Sequence, residues 1–163
     1  YIDEDRDAAC IALYKNCLKD GIPMLGICRG AQFLWVMEGG KLWQDVDKHN
    51  SGSHTATLLE TNQTLTISSV HHQACRFGQV SGMRLLMSSA TSQRREAVEV
   101  TQTGCMTDVE AFTFTDDAIL GIQGHPEYDG FPVYSKLCVD LIDKHICLST
   151  KTRMVDGLYR VVD

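Results

Sequence analysis

Apolar residues recur at helical spacing near the start of the chain and predict an amphipathic helix there. Ile11, Tyr14 and Leu18 are three or four positions apart, so they share one helix face. Asp3 is in position to cap the first turn, and Gly21 follows the last apolar residue as a helix-ending glycine. The pattern therefore predicts a helix between Asp3 and Gly21.

A strand, a glycine-flanked turn and a second helix are predicted next. The apolar run 23–27 is typical of a buried parallel strand. After Gly30 the segment AQFLWVM has the pattern of a helix, and Gly39 and Gly40 end it. This order of elements predicts one half of a βαβ unit.

The middle of the chain changes to the alternating pattern of strands, and helical spacing returns over 134–146. The predicted strands cover 55–60, 65–70, 83–89, 96–100, 109–114 and 118–123. Residues 42–53 are polar and predict a loop, and the weakly patterned tail contains one short predicted strand, 157–162. No repeat or low-complexity linker is present, so we expect residues 1–163 to form a single α/β domain.

Composition and charge exclude several function classes. The net charge is −6 and no basic stretch exceeds Arg94 and Arg95, so we expect no nucleic-acid partner. No apolar run approaches the roughly 18 residues of a membrane span, and no signal peptide is recognisable, so we expect a soluble protein without a membrane partner. Seven cysteines at wide, irregular spacing predict a reducing, cytoplasmic location, with six of them acting as small hydrophobic residues.

The stretch GICRG places Cys28 where the predicted strand turns into the predicted helix. G-x-C-x-G is the cysteine form of the nucleophile elbow, in which the central residue is strained and flanking glycines let strand and helix approach. The helix N-terminus would favour a thiolate, and its free N–H groups, that of Arg29 first, would stabilise an oxyanion. The alternative is a buried core thiol between two packing glycines, Gly26 and Gly30.

A cysteine nucleophile needs a base, and His125 is the best placed of the six histidines. It follows the predicted strand 118–123, so it would lie at the same sheet edge as Cys28. Glu127, two residues on, can hold the second imidazole nitrogen. The motif HPE alone is more typical of a loop with a solvated histidine, but together with the cysteine turn the three residues predict a nucleophile, a base and an orienting carboxylate.

Four segments together resemble one family. The segment GIPMLGICRGAQFLWVMEGGKLWQDV resembles the nucleophile region of class I glutamine amidotransferase-like hydrolases, closest to the γ-glutamyl-γ-aminobutyrate hydrolase branch, peptidase family C26. IDEDRDAACIAL, SSVHHQAC and VEAFTFTDDAILGIQGHPEY resemble further family segments in the same order. The resemblance covers residues 1–146. It implies a three-layer, flavodoxin-like class I glutamine amidotransferase fold with a mostly parallel central sheet.

The resemblance also implies a reaction, with no cofactor. Cys28 would attack the side-chain amide of glutamine or of a γ-glutamyl amide, His125 would move the proton, Glu127 would orient His125, and water would release glutamate from the thioester. The residues that match the family's substrate pocket are Arg29, Gln32, His71, His72 and Gln73. A metal site is the alternative for the two histidines, but neither Cys nor a carboxylate lies at ligand spacing, so no metal is expected.

The chain departs from the family pattern in three places. Gly124 stands where relatives have Trp or Phe before HPE, which removes an aromatic wall and predicts a wider pocket. Ala31 replaces the usual Met, a mild change. Relatives also have two or three strands and a PGG loop before the first helix, which supply half of the sheet and the second oxyanion N–H. This chain begins at Tyr1 without them, and we expect them to be trimmed or carried on another chain, with an impaired, truncated relative as the alternative.

Three functions stay open at this point. Two segments, HHQ (residues 71–73) and CRG (residues 28–30), favour a hydrolase of γ-glutamyl amides. A glutaminase subunit that passes ammonia to a synthetase partner would use the same residues. A non-enzymatic binding role fits the absence of the N-terminal strands that relatives have. Such a role does not, however, need the nucleophile, the base and the orienting carboxylate together. The expected partners are accordingly a small-molecule substrate and either a synthetase or a second copy of the chain.

Overall fold

The computed structural model describes residues 3–78, 80–114, 116 and 118–147. The strand predicted over 157–162 lies outside these ranges. Within them, no helix is both long and apolar enough to cross a membrane.

The first helix, α1 (Glu4–Asp20), has the caps that its sequence predicts. The Asp3 side chain accepts a hydrogen bond from the Arg6 backbone N–H at 3.0 Å. Gly21 ends the helix with φ at 65°, a left-handed conformation that glycine adopts without strain. The predicted helix is confirmed at both ends.

Strand β1 (Met24–Ile27) leads through one residue, Cys28, into helix α2 (Arg29–Met37). The predicted strand, turn and helix are therefore confirmed. A third helix, α3 (Pro132–Ile142), begins two residues before the predicted one, and its last part continues as a π-helical turn, Asp143–Cys147.

A six-stranded sheet forms the centre of the molecule. In spatial order its strands are β1, β11 (Ile119–Ile122), β10 (Asp108–Phe114), β7 (Met83–Ser89), β4 (Gly52–Leu58) and β5 (Gln63–Ser69). Helices α1 and α2 pack on one face, where Tyr14 and Trp35 join the core, and α3 packs on the other with Tyr134 and Leu141. The α/β class and the three layers are confirmed.

The sheet is mixed rather than mostly parallel, which corrects one part of the expected fold. In the described residues, β1 and β11 are the one parallel pair of the sheet, and its other four pairings are antiparallel. The reason is connection length: a short turn, residues 59–62, joins β4 to β5, and a tight turn can only join antiparallel strands.

Two small sheets correct further predictions. Residues 42–53 are not a loop, because they contain β2 (Leu42–Trp43) and β3 (Asp45–Val46) and the start of β4. Strand β2 pairs with β6 (Ala74–Cys75). The strand predicted over 96–100 is instead the end of β8 (Arg94–Ala97), a two-residue turn and the start of β9 (Val100–Thr103). Strand β8 also pairs with β3. Short strands of two to four residues leave too little alternation to detect.

The cysteines are all unpaired, but they are not uniformly buried. Cys17, Cys75 and Cys138 are buried and behave as small hydrophobic residues, as expected. Cys105 and Cys147 are exposed, so the expectation of six hydrophobic cysteines is wrong for these two.

Candidate active site

The candidate nucleophile lies on a strained turn between β1 and α2. Cys28 has φ at 51° and ψ at −112°, and L residues rarely adopt a positive φ of this kind. Its N–H donates to the Ile122 carbonyl oxygen at 2.8 Å, and its carbonyl oxygen accepts from the Gln32 N–H at 3.1 Å. These two bonds hold the strained residue, which is the geometry of a nucleophile elbow.

The two glycines of the turn have different roles. A Cβ on Gly26 would lie 2.5 Å from the carbonyl carbon and oxygen of Gly30 and 2.7 Å from the Ala31 nitrogen. Only glycine therefore allows β1 to pass this close to the first turn of α2. A Cβ on Gly30 would meet no atom within 4 Å, so the expectation that both glycines are needed for close approach holds for Gly26 alone.

Burial dominates the electrostatics of the cysteine. Burial raises the pKa of the Cys28 thiol, a hydrogen bond from the Arg29 backbone N–H lowers it, and the negative charge of Glu127 raises it. The net direction is upward, so the thiol form prevails at neutral pH. This is opposite to the thiolate that the helix N-terminus alone leads one to expect, because desolvation of the charged form outweighs the helix amides here.

His125 and Glu127 form an ordered pair beyond the end of β11. His125 Nδ1 lies 2.7 Å from Glu127 Oε1, and this hydrogen bond lowers the pKa of the Glu127 carboxyl. The His125 ring stacks on Tyr128 with centroids 4.6 Å apart. Its backbone N–H donates to the Ser68 hydroxyl at 2.7 Å, and that hydroxyl donates to the His125 carbonyl oxygen at 2.9 Å. The orientation of the imidazole is thus fixed by the bond at Nδ1 and by the stacking on Tyr128.

Parallel pairing brings the two segments to one edge of the sheet. Ile27 is in register with Ile122, so Cys28 and the segment that carries His125 both leave the carboxyl ends of neighbouring strands. Between them, Gln123 Nε2 points to Cys28 Sγ at 3.9 Å. Gln123 is buried and was not singled out from the sequence, because a glutamine at a strand end has no distinctive pattern.

A chain of amides extends from the cysteine into the HHQ segment. Gln32 Nε2 donates to Gln123 Oε1 at 3.1 Å and to the Gln73 carbonyl oxygen at 2.8 Å. The Gln73 side chain donates to Gln44 Oε1 at 2.7 Å. Gln32 and Gln73, both expected in the pocket, are therefore joined to each other and through Gln123 to Cys28.

The other three residues predicted to line the pocket, Arg29, His71 and His72, differ in exposure and in contacts. The Arg29 side chain forms an exposed ion pair with Asp7 of α1. His72 is exposed. His71 is buried and its ring lies beside His49, with centroids 4.8 Å apart, so its side chain faces the interior and not the surface. The segment His71–Gln73 therefore has one buried and one exposed histidine.

Position 124 accepts only glycine, because Tyr134 of α3 packs directly against its backbone. A Cβ at Gly124 would lie 2.6 Å from Tyr134 Oη and 2.7 Å from the Ser68 carbonyl oxygen. The buried ring of Tyr134 therefore fills the space that a side chain at position 124 would occupy. The lack of a Trp or Phe side chain at this position consequently does not widen the pocket.

The fold and this turn define the class of the protein. The chain has the fold of the class I glutamine amidotransferases: a solved structure with this fold, that of a candidate GMP synthase component from Thermoplasma acidophilum, superposes with a TM-score of 0.59 at 20% identity, over 82% of this chain and 60% of that one. The Peptidase C26 family model matches residues 1–127. The chain belongs to the peptidase C26 family.

Two named relatives agree with this membership. A candidate glutamine amidotransferase of Mycobacterium tuberculosis, Rv2859c, is 32% identical over 126 residues, which is 75% of this chain and 41% of that protein. The carbamoyl phosphate synthase small chain of Buchnera aphidicola (Schizaphis graminum) is 29% identical over 110 residues, 68% of this chain and 25% of that protein. The chain thus spans less than half the length of either relative.

Proposed function

We propose that the protein hydrolyses the side-chain amide of glutamine or of a γ-glutamyl amide, with Cys28 as nucleophile, His125 as base and Glu127 as the carboxylate that orients it. One observation carries the proposal. Cys28 is held at positive φ at the carboxyl end of β1, and the parallel neighbour β11 leads directly to a His125–Glu127 hydrogen bond. A core thiol has no need of a strained backbone or of an oriented imidazole beyond the end of the neighbouring strand.

The resting form of the cysteine determines the order of proton movements. Since burial raises the Cys28 pKa, the attacking group starts as a thiol. His125 takes its proton as the sulfur bonds to the amide carbon. The same proton then passes to the amine nitrogen as the C–N bond breaks, which leaves a γ-glutamyl thioester on Cys28. His125 next takes a proton from water, and the hydroxide adds to the thioester. The C–S bond then breaks, His125 returns that proton to the Cys28 sulfur, and glutamate is released with the thiol restored.

The surroundings assign the supporting roles. The Arg29 N–H, at the start of α2 and aimed at the sulfur, would stabilise the oxyanion. The exposed His72 and the partly exposed Gln73 are offered as substrate contacts. We give His71 and Gln32, which are equally buried, positioning roles instead, because His71 Nδ1 lies 2.8 Å from the Gln73 carbonyl oxygen that also accepts from Gln32.

A second candidate is a glutaminase subunit that delivers ammonia to a synthetase. The likeness to a relative named as the small chain of carbamoyl phosphate synthase favours it, and the reaction on Cys28 would be the same. Glutamate release that rises only when a synthetase is added would support this candidate over a free-standing hydrolase or a homodimer. Because every cysteine is unpaired, we place either activity in the cytoplasm.

Glutamate release by the purified protein tests the proposal. With glutamine and a panel of γ-glutamyl amides, we expect Cys28→Ala to reduce release by about 10⁴-fold or more, since the covalent route is lost. Cys105→Ala is the matched control, because Cys105 is exposed and remote from the turn, and it should leave the rate unchanged. No release from any amide, with or without added synthetase, would leave a non-enzymatic binding role and contradict the proposal.

A further inference from the structure

A cluster of buried ionisable side chains lies behind the HHQ segment, and the proposed reaction uses none of its unpartnered atoms. Its members come from the loop before β4, from β4, from the HHQ segment and from β10: His49, His54, His71, Asp108 and Glu110. His49 is fully buried, and Glu110 and His71 are 1% and 6% exposed. The His49 ring lies between those of His54 and His71, with centroids 4.4 and 4.8 Å away.

Four polar side-chain atoms of this cluster have no hydrogen-bond partner in the described part of the chain, namely His49 Nε2, His54 Nδ1, His71 Nε2 and Glu110 Oε2. All four are buried, and leaving a buried imidazole nitrogen or carboxylate oxygen without a partner is strongly unfavourable. Ligand atoms of His49, His71 and Glu110 lie within 4.8 Å of one another. We propose that these three residues bind a divalent zinc ion.

In His71 and Glu110, hydrogen bonds engage one polar side-chain atom and leave the other with a lone pair that can bind the ion. His71 Nδ1 lies 2.8 Å from the Gln73 carbonyl oxygen, which requires the proton on Nδ1 and leaves Nε2 as the ligand atom. Glu110 Oε1 accepts from His54 Nε2 at 2.8 Å and from the Ser89 hydroxyl at 2.9 Å, which leaves Oε2. Such outer partners fix the orientation of metal ligands in known sites.

His49 lies beside a carboxylate of the same cluster but is not hydrogen-bonded to it. Its Nε2 is 3.2 Å from Asp108 Oδ2 without hydrogen-bond geometry, and its Nδ1 is 3.9 Å from Glu110 Oε1, so Nδ1 is the atom we assign to the ion. The one hydroxyl proton of Ser69 is donated to the His49 carbonyl oxygen at 2.6 Å, so Ser69 does not donate to Nδ1. A carboxylate, a histidine and a zinc ion in line is a recurrent arrangement.

The ligand set matches zinc in type and charge. Two imidazoles and one carboxylate suit zinc, with water as the fourth ligand. Tetrahedral bonds of about 2.0–2.2 Å place ligand atoms about 3.4 Å apart, so ligand atoms that lie up to 4.8 Å apart must approach one another by up to about 1.4 Å. Because the site is buried, the ion would support the Gln73 segment and would not meet substrate.

Metal binding by the full chain tests this inference directly. The protein is treated with a chelator, reloaded with Zn²⁺ or Co²⁺, desalted, and its metal content is measured by mass spectrometry. We expect one equivalent, and a Co²⁺ spectrum of a tetrahedral nitrogen and oxygen site without thiolate charge-transfer bands. Retention of no metal, or a thiolate spectrum from the cysteines, would overturn the proposal even if every variant failed to fold.

Matched variants assign the ligands. His71→Gln and Glu110→Gln should each weaken zinc binding by about 100-fold or more, since each removes a direct ligand. His72→Gln, at the exposed neighbouring histidine, should bind zinc as the unaltered protein does. Equal zinc affinity in all three variants, or a crystal structure of zinc-treated protein with ordered water and no anomalous zinc signal among these residues, would contradict the site. None of these readouts depends on glutamate release.

Discussion

At the scale of single residues, two opposing effects act on Cys28. The amides at the start of α2 favour a thiolate, whereas burial disfavours it, and burial is the larger effect. In the proposed reaction Cys28 would therefore attack from the neutral thiol and depend on its base. The contacts of the His125 imidazole with Glu127 and Tyr128 suit that role, because they fix its orientation before substrate would bind.

The pH dependence of alkylation should reveal this raised pKa. Thiolate is the reactive form, so the rate of iodoacetamide labelling at Cys28 should rise with pH and level off only above its pKa. We expect a midpoint above that of a free cysteine, which is about 8.5. Mass spectrometry of the Cys28 peptide at each pH measures it, with a free thiol as reference. A midpoint below that of the free thiol would show that the helix amides outweigh burial.

Removing the charge of Glu127 should lower turnover without removing the nucleophile. In Glu127→Gln the orienting carboxylate is lost, and we expect kcat for glutamate release to fall by about 10²-fold. Asp129→Asn is the control, because Asp129 is an exposed acid on the same loop without a bond to His125. Equal rates for the two variants would exclude an orienting role for Glu127.

At the scale of elements, the turn between β1 and α2 depends on a close backbone approach. The contact is made at Gly26, where the backbone of Gly30 and Ala31 leaves no room for a Cβ. The strain at Cys28 is therefore maintained by packing of the strand against the helix, and by the hydrogen bond from Cys28 to β11.

The two glycines offer a matched test of this packing. Gly26→Ala should lower the free energy of unfolding by about 1–3 kcal/mol, because the backbone that it meets cannot move freely. Gly30→Ala should be neutral or stabilising by up to about 1 kcal/mol, since its Cβ meets open space within a helix. Urea unfolding measures both. A Gly26→Ala variant as stable as Gly30→Ala would contradict the close approach.

The long elements and the turn were predictable from the sequence, whereas the short strands were not. Helix α1 has an Asp cap and a terminal glycine, and β11 is a clear apolar run, so local signals suffice. Strands β2, β3, β8 and β9 have two to four residues each and depend on tertiary pairing. The candidate triad was visible as motifs, but Gln123 and the inward side of His71 were not, since tertiary packing alone brings them together.

At the scale of the whole molecule, β1 is an edge strand in the described residues. Its one sheet neighbour there is β11, and the Met24 and Cys28 N–H groups donate to carbonyl oxygens of Ala118 and Ile122. The N–H groups of Leu25 and Ile27 alternate with these two and point away from β11. The Leu25 residue is also 41% exposed, so an apolar strand edge lies next to Cys28.

Amide hydrogen exchange should show this edge within a single strand. The Leu25 and Ile27 amides should exchange much faster than the Met24 and Cys28 amides, because these two are bonded to the neighbouring segment. Two-dimensional NMR after transfer to D₂O gives the four rates. Equal protection of all four would show that another segment or a second copy pairs with β1.

The most direct test of the whole account is a search for the γ-glutamyl thioester. The protein is mixed with a γ-glutamyl amide, quenched in acid during turnover, digested and analysed by mass spectrometry. We expect one glutamyl group on the peptide that contains Cys28, its loss in Cys28→Ala, and release of glutamate at the rate at which the adduct decays. Glutamate released without a Cys28 adduct, or at an undiminished rate by Cys28→Ala, would contradict the assignment of Cys28 as nucleophile.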